Sequence, residues 1–600
     1  MESSKHSMQL CCLLPLLLVA AGAKVTAGDE LTTFIIHVHP HEKDVLATAD
    51  DRKKWYESFL PEEGRLVHAY HHVASGFAAR LTPEELDEMS TIPGFVSAVR
   101  DQTYELQTTH TPQFLGLDVI QAGNVSDGGA ERGAGVIIGV VDTGVFPFHP
   151  SFGDAGMPPP AAKWAGRCEF KFNNGSAAAC NNKLIGASSF VSVNGAVIPP
   201  LDDSGHGTHA ASTAAGAAVP GANVLGQGNG VAATGMAPLA HVAAYKVCHE
   251  LFCRGSDVLA GIDADVADGC DVVSVSLAGL QNPFHKDPVA IGTFGAIQKG
   301  VFVSMAAGNF GPSEGSLRNE APWALTVAAS TMDRFRHAVA DRLRRHAPSI
   351  AFFSSRGILK PDITGPGVNV LAAGPFKVGP TDQTSGVSGG PPTFNFLPGT
   401  SISTAHLSGI AAIIKSKHPD WSPAAIKSAI MTTADVTDRS GNPILDERHQ
   451  PADWFATGAG HVNPGKAVDP GLVYDIDPSD YGGYLCGLYT SDEVSMIARR
   501  VVNCSDITTW NRSMPVVVQR TAKNVGKLPS TYTPMVDMPA ASDVTIDVSP
   551  RQLVFTEVNQ EQSFKLTVWP GQNGTKVLQG ALIWVSGTYT ARSPVSIAFD

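Results

Sequence analysis

Between residues 133 and 475, short apolar stretches alternate with longer ones in which apolar and small residues recur every three or four positions. Val136–Val141, Val242–Val247, Asp271–Leu277, Val301–Ala306 and Trp323–Ala328 are apolar at nearly every position. Strands of that kind are covered on both faces, as in a parallel sheet. His206–Ala218, Ser256–Asp268, Pro288–Lys299, Ser401–Lys417 and Ser422–Ala434 predict helices between and after them. The alternation predicts an α/β domain, whose functional groups gather at the carboxyl ends of strands and the amino ends of helices.

The pattern changes on either side. In residues 31–107, Phe34–Val38 reads as a strand, Lys53–Leu60 as a helix and Leu66–Leu81 as two strands folded about Ser75-Gly76. Thr82 then caps a helix with Pro83 in its first turn and acidic residues after it, and Phe95–Val99 closes as a strand. The order β-α-β-β-α-β is that of a ferredoxin-like α+β unit. From about residue 515 helices vanish, and Val516–Thr521, Thr545–Ser549, Ser563–Val568, Gly580–Val585 and Val595–Phe599 predict an antiparallel β-sandwich. Three folded units suit 600 residues, more than one core supports.

Charge and cysteines place the chain. A net charge of −13 and a pI near 5.8 argue against nucleic-acid binding. The basic run Arg334–His346 lacks interleaved aromatic residues and reads as a solvated linker. Lys5 and His6 precede an apolar stretch from Met8 to Ala21, too short to span a bilayer, with Ala21-Gly-Ala23 as a small-residue cleavage site. Residues 1–23 are therefore expected to be a signal peptide, and the protein to be secreted with no membrane anchor. In that oxidising setting Cys168/Cys180, Cys248/Cys253 and Cys486/Cys504 are disulfide candidates, leaving Cys270 as a buried thiol. Asn124, Asn174, Asn503, Asn511 and Asn573 stand in glycosylation sequons.

Four polar residues stand where an α/β fold collects chemistry. Asp142 ends the strand Val136–Val141, and His206 begins a small-residue helix within Asp202-Asp-Ser-Gly-His-Gly-Thr-His209. Asn309 follows Val301–Ala306 in a glycine-flanked turn, and Ser401 follows Gly399-Thr400 where the next helix starts. Singly each has an ordinary reading. Ser401 could be a helix cap, Asn309 a turn residue, and His206 with His209 a zinc pair, for which no third ligand has suitable spacing. Together they supply a carboxylate, a base, an amide donor and a nucleophile in the chain order Asp, His, Asn, Ser.

Val-Val-Asp142-Thr-Gly, Gly-His206-Gly-Thr-His, Ala-Gly-Asn309 and Gly-Thr-Ser401 resemble the successive active-site motifs of subtilisin-like serine proteases. Plant subtilases are the nearest look-alikes. Thr108–Gly116, Phe353-Ser-Ser-Arg-Gly357, Lys360-Pro-Asp-Ile363 and His418–Ala429 resemble their other signature segments, so the likeness spans almost the whole chain. The resemblance implies a parallel sheet with helices on both faces over residues 108–475, an inhibitory propeptide over 31–107 cut before Thr108, and a fibronectin III-like domain over 500–600. It implies that Asp142, His206 and Ser401 act as a triad, that Asn309 and the Ser401 N–H hold the oxyanion, and that His209 is structural. It further implies that Ser276-Leu277-Ala278 pairs with extended protein or peptide substrates, with Ala278 where relatives usually carry Gly. A self-processing, monomeric endopeptidase of the apoplast or cell wall is expected, with no cofactor or metal.

Some segments depart from that pattern. Thr326–Asp333 reaches Pro348–Ser354 across only the basic linker, so the protease-associated domain usual between the Asn and Ser motifs is missing near 333–348. Ile402 and Ala405 replace the usual Met and Pro beside the nucleophile, and Thr509–Met514 stands where the first sandwich strand is expected. A lost edge strand would expose backbone groups. The alternative to an active endopeptidase is a catalytically impaired binding or decoy protein on the same scaffold. An esterase using the same triad is a third reading with little support.

Overall fold

The computed structural model describes residues 31–38, 49–62, 64–70, 76–100, 114–115, 132–170, 179–222, 224, 232–249, 252–332, 347–357, 360–375, 393–498, 504, 516–539, 544–569 and 577–598. The expected signal peptide, the cleavage point before Thr108, the linker Arg334–His346, the five sequons and Thr509–Met514 lie outside them. The chain divides into two compact units, residues 1–104 and 105–600.

In the first unit four antiparallel strands lie in the order Leu66–Tyr70, Gly76–Leu81, Thr32–Val38, Phe95–Arg100. That is the expected ferredoxin-like order. Ile36, Tyr56, Phe77 and Met89 fill its core. The helix expected at Lys53–Leu60 runs instead from Ala49 to Glu57. Asp51 in its first turn suits the positive amino end of a helix that starts four residues earlier. Thr82 caps the second helix, Pro83–Met89, reciprocally: Thr82 Oγ1 accepts from Glu85 N at 3.2 Å, and Glu85 Oε2 from Thr82 N at 2.9 Å.

In the second unit seven strands form one parallel sheet. Across it they lie in the order Ile363–Pro366, Leu325–Ser330, Phe302–Ala306, Val272–Val275, Ile137–Asp142, His241–Lys246, Leu184–Ser189. The alternation of side chains explains why the inner strands are apolar at successive positions rather than at every second one. Ile138 and Val140 point to the core shared with helices His206–Ala215, Thr400–Lys417 and Pro423–Thr432. Ile137 and Val141 point to the opposite core, under Gly255–Ala267 and Pro288–Gln298. Helices thus cover both faces, and the functional strand and helix ends meet at one edge.

Two four-stranded antiparallel sheets follow. One is ordered Leu472–Val473, Val516–Asn524, Glu561–Trp569, Thr545–Ser549, and the other Leu553–Phe555, Ser530–Asp537, Val577–Val585, Thr590–Ala598. Tyr532, Phe555, Phe564 and Trp584 fill the core between them. Leu472 pairs with Asn524 and Val473 with Lys523, so the end of the α/β region protects one edge of Val516–Asn524. Cys168–Cys180, Cys248–Cys253 and Cys486–Cys504 are disulfide-bonded, and Cys270 is free and buried.

Candidate active site

Asp142 is the last residue of the strand Ile137–Asp142 and is fully buried. Its Oδ1 accepts from Thr143 N at 2.7 Å, and His206 Nδ1 lies 2.8 Å from Oδ1 and 3.0 Å from Oδ2. His206 is the first residue of its helix, after Gly205, whose φ of 88° suits glycine. On the other side of the ring, His206 Nε2 lies 2.9 Å from Ser401 Oγ. An unbroken chain of contacts therefore runs from a buried carboxylate through an imidazole to a hydroxyl.

Ser401 does not cap its helix. The helix runs from Thr400 to Lys417, Gly399 holds the cap position, and no side chain caps it. The serine lies one turn-step inside, where its hydroxyl is free to meet His206 and its own N–H is among the unpaired groups of the first turn. Asn309 is placed by Thr400: its Oδ1 accepts from Thr400 N and from Thr400 Oγ1, both at 2.9 Å. With the carbonyl oxygen spent, the amide nitrogen is left to donate. A methyl group built on Gly399 would stand 2.8 Å from Ser401 Oγ and 3.6 Å from Asn309 Nδ2. The missing side chain at 399 leaves a space between hydroxyl and amide that an oxygen can enter.

A cleft of about 710 Å³ opens over these groups and takes in His206, Asn309, Ser401, Ser276, Leu277 and Ala278. Ser276 lies just past the strand Val272–Val275, and its hydroxyl donates to the Ser401 carbonyl at 3.1 Å. Its side chain is thus engaged in the scaffold, while Ala278 is exposed along the cleft. The exposed side chains of Leu280, Phe252 and Phe310 also border the cleft.

The two histidines of the Gly-His-Gly-Thr-His segment have opposite electrostatics. Burial disfavours charge on His206, but the charge and hydrogen bond of Asp142, with Asp202 behind it, outweigh burial and hold the imidazole above its ordinary pKa. His209 is fully buried, and burial pushes it down to about 3 despite bonds from Nε2 to the carbonyls of Val370 (2.9 Å) and Asn395 (3.2 Å). His209 is thus held neutral, with its Nε2 turned to two backbone carbonyls. Among the described residues no group of three or more His, Cys, Asp or Glu side chains could hold a metal ion.

Sequence reasoning gave no role to Thr143, Asp202 or Thr400, all of which bond to the site. Each lies within four residues of a motif residue, but its contact crosses to a different motif, and nothing local signals that.

Comparison with known proteins gives the family of each region. Residues 133–460 match the model of the subtilase family, residues 33–107 that of peptidase inhibitor I9, and residues 502–597 that of a fibronectin type-III domain. The chain is 34% identical to the subtilisin-like protease SBT1.2 of Arabidopsis thaliana, with 98% of each chain covered. It is likewise 34% identical to the subtilisin-like protease SBT1.7 of that plant, over 96% of this chain and 97% of the other. The first alignment extends over 777 positions against 600 residues here, so that relative carries a long stretch with no counterpart in this chain. The missing protease-associated domain fits that difference.

Proposed function

From the premise that this chain belongs to the subtilase family and is a serine endopeptidase, we propose that Asp142, His206 and Ser401 are its catalytic triad and Asn309 its oxyanion donor. The observation that carries this reading is the continuous bonding of Asp142, His206 and Ser401 at 2.8–3.0 Å. Ser401 Oγ attacks the scissile carbonyl carbon and passes its proton to His206 Nε2. The C–N bond then breaks as His206 returns that proton to the leaving amine, and water repeats the cycle on the acyl-enzyme. Asp142 keeps Nδ1 protonated and stabilises the imidazolium. The oxygen that becomes negative sits between Asn309 Nδ2 and the Ser401 N–H, beside the space left by Gly399. Backbone groups at Ser276, Leu277 and Ala278 hold the substrate extended along the cleft.

The enzyme is made as a zymogen. We assign residues 1–23 to a signal peptide, 31–107 to the inhibitory propeptide, 108–475 to the catalytic domain and 500–600 to the fibronectin III-like domain. Three disulfides support passage through an oxidising compartment and secretion to the apoplast or cell wall, where the enzyme works as a monomer.

Expression of residues 24–600 beside Ser401→Ala tests the reading. The parent chain is expected to cut itself before Thr108 and to label with a serine-directed phosphonate, and Ser401→Ala to do neither. Equal processing of the two, or no labelling of the parent, overturns it.

A further inference from the structure

Asp202 stands apart from the four assigned residues, yet it is more heavily bonded than any of them. Its side chain is buried, and the five hydrogen bonds it accepts come from the segments that carry Asp142 and His206. Oδ1 accepts from Thr143 Oγ1 at 2.8 Å, Gly205 N at 2.9 Å and Ser204 N at 3.1 Å. Oδ2 accepts from Thr208 N at 2.8 Å and from Thr208 Oγ1 at 2.5 Å. Thr143 completes the link, because its hydroxyl also accepts from Gly207 N at 2.8 Å.

We infer that Asp202 is a positioning residue of this enzyme: one buried carboxylate fastens the strand end carrying Asp142 to the helix start carrying His206. The inference rests on the triad reading and deepens it. Two features give it force. Gly205 occupies the cap position of the His206 helix with no side chain to bond the orphaned first-turn N–H groups, and Asp202 supplies that bonding from upstream. The helix is also packed hard on the strand end, since a methyl group on Gly207 would lie 2.2 Å from the Gly144 carbonyl oxygen. A rotation of the helix by a few tenths of an ångström would therefore be felt at the His206 ring.

The carboxylate also acts through its charge, adding to that of Asp142 in favouring the imidazolium. Among the described residues, the other charged or titratable groups around these segments include His209, which burial keeps neutral, and the buried Lys246. Lys246 Nζ donates to the Thr143 carbonyl at 2.7 Å and pairs with Asp203 at 2.9 Å, and the half-exposed His249 shares that Asp203 oxygen at 2.5 Å. None of these replaces Asp202 in bonding to both segments.

The test compares Asp202→Asn, Thr143→Val and Thr143→Ser in the full chain, counting active sites by phosphonate titration. Asp202→Asn is expected to lower kcat about 10- to 100-fold with KM little changed, as small misplacements at a reacting centre do. The acid limb of its kcat/KM profile should move down by about half a pH unit as the charge near the imidazole is lost. Thr143→Val should lower kcat about tenfold, and Thr143→Ser, which keeps the hydroxyl, should recover most of that loss. The inference is overturned if Asp202→Asn keeps the parent kcat and acid limb, or if kcat falls with the acid limb unmoved. Should Asp202→Asn fail to mature, the Thr143 pair decides: equal impairment of Val and Ser, or none in either, sinks it. Full activity in Ser401→Ala would instead sink the triad reading itself.

Discussion

Two buried carboxyl groups lie against the strand Ile137–Asp142, one at its carboxyl end and one over its middle, and their surroundings are opposite. Asp142 accepts from Thr143 N and from both approaches of His206 Nδ1, and Asp202 beside it takes five bonds. Asp265, on the helix Gly255–Ala267, is just as buried, yet no N–H or alcohol O–H donates to its oxygens, and only the weak donor of the Cys270 thiol lies beside it. It lies so close to Gly139 that a methyl group there would stand 2.2 Å from Asp265 Oδ2. Burial alone therefore says nothing about function. At the strand end, converging N–H groups make a negative charge usable, whereas over the strand's middle the one donor beside the carboxyl among the described residues is a weak thiol, and the carboxyl is tolerated only in its neutral form.

The largest test of this contrast strips the charge from the well-partnered end. Asp142→Asn keeps the shape but removes the anion that pairs with His206, and it is expected to cost about 10⁴-fold in kcat. If His206 is the base proposed above, the parent enzyme should lose activity as pH falls through an imidazole pKa above the ordinary 6.5, because only the neutral ring can accept a proton. In Asp142→Asn the residual activity should persist to lower pH. A pH–rate profile of kcat/KM in both proteins checks this, and an acid limb that stays put would break the link between Asp142 and the imidazole.

A smaller loss is expected on the far side of the nucleophile. Asn309→Ala removes the amide donor while leaving Asp142, His206 and Ser401 in place, and should lower kcat about 10²–10³-fold with KM nearly unchanged. Steady-state kinetics on one peptide substrate decides it. A loss confined to KM would mean that Asn309 only anchors Thr400.

How far this arrangement could be read from the sequence follows from where each signal lives. Five of the seven sheet strands were legible because they are covered on both faces and so are apolar at most positions. The two that escaped, Leu184–Ser189 and Ile363–Pro366, are the two edges of the sheet. Edge strands tolerate the glycine, proline and serine that disguise these segments. In the sandwich Ser530–Asp537, which lies inside its sheet, was hidden by Pro534, a residue in the stretch that pairs with Val577–Val585. The four polar residues of the site were legible because each sits in its own short motif. Asp202 and Thr143 were not, since their meaning is a contact across 59 residues of chain. That Ser401 does not cap its helix likewise became visible only from the helix start at Thr400, with Gly399 in the cap position.

The least conspicuous expectation concerns stability and comes from the second carboxyl. Burial, reinforced by Asp268 and Asp271 and only partly opposed by the neighbouring Cys270 thiol, pushes Asp265 well above the usual carboxyl range. The unfolded chain releases that proton near the ordinary value of about 3.8, while the folded protein keeps it. Between those two pKa values the unfolded state binds fewer protons, so the contribution of this group to stability falls as pH rises, by at most about 1.4 kcal/mol per pH unit. Asp265→Ala removes the titrating group, leaving a small void above Gly139 that costs about 1 kcal/mol or less. Denaturant unfolding at pH 5 and pH 8 is expected to show the variant gaining on the parent as pH increases, with activity at the cleft unchanged. A stability difference that is the same at both pH values would mean that Asp265 has found an N–H or alcohol O–H donor in the folded protein. The contrast between the two carboxyl groups would then be one of degree.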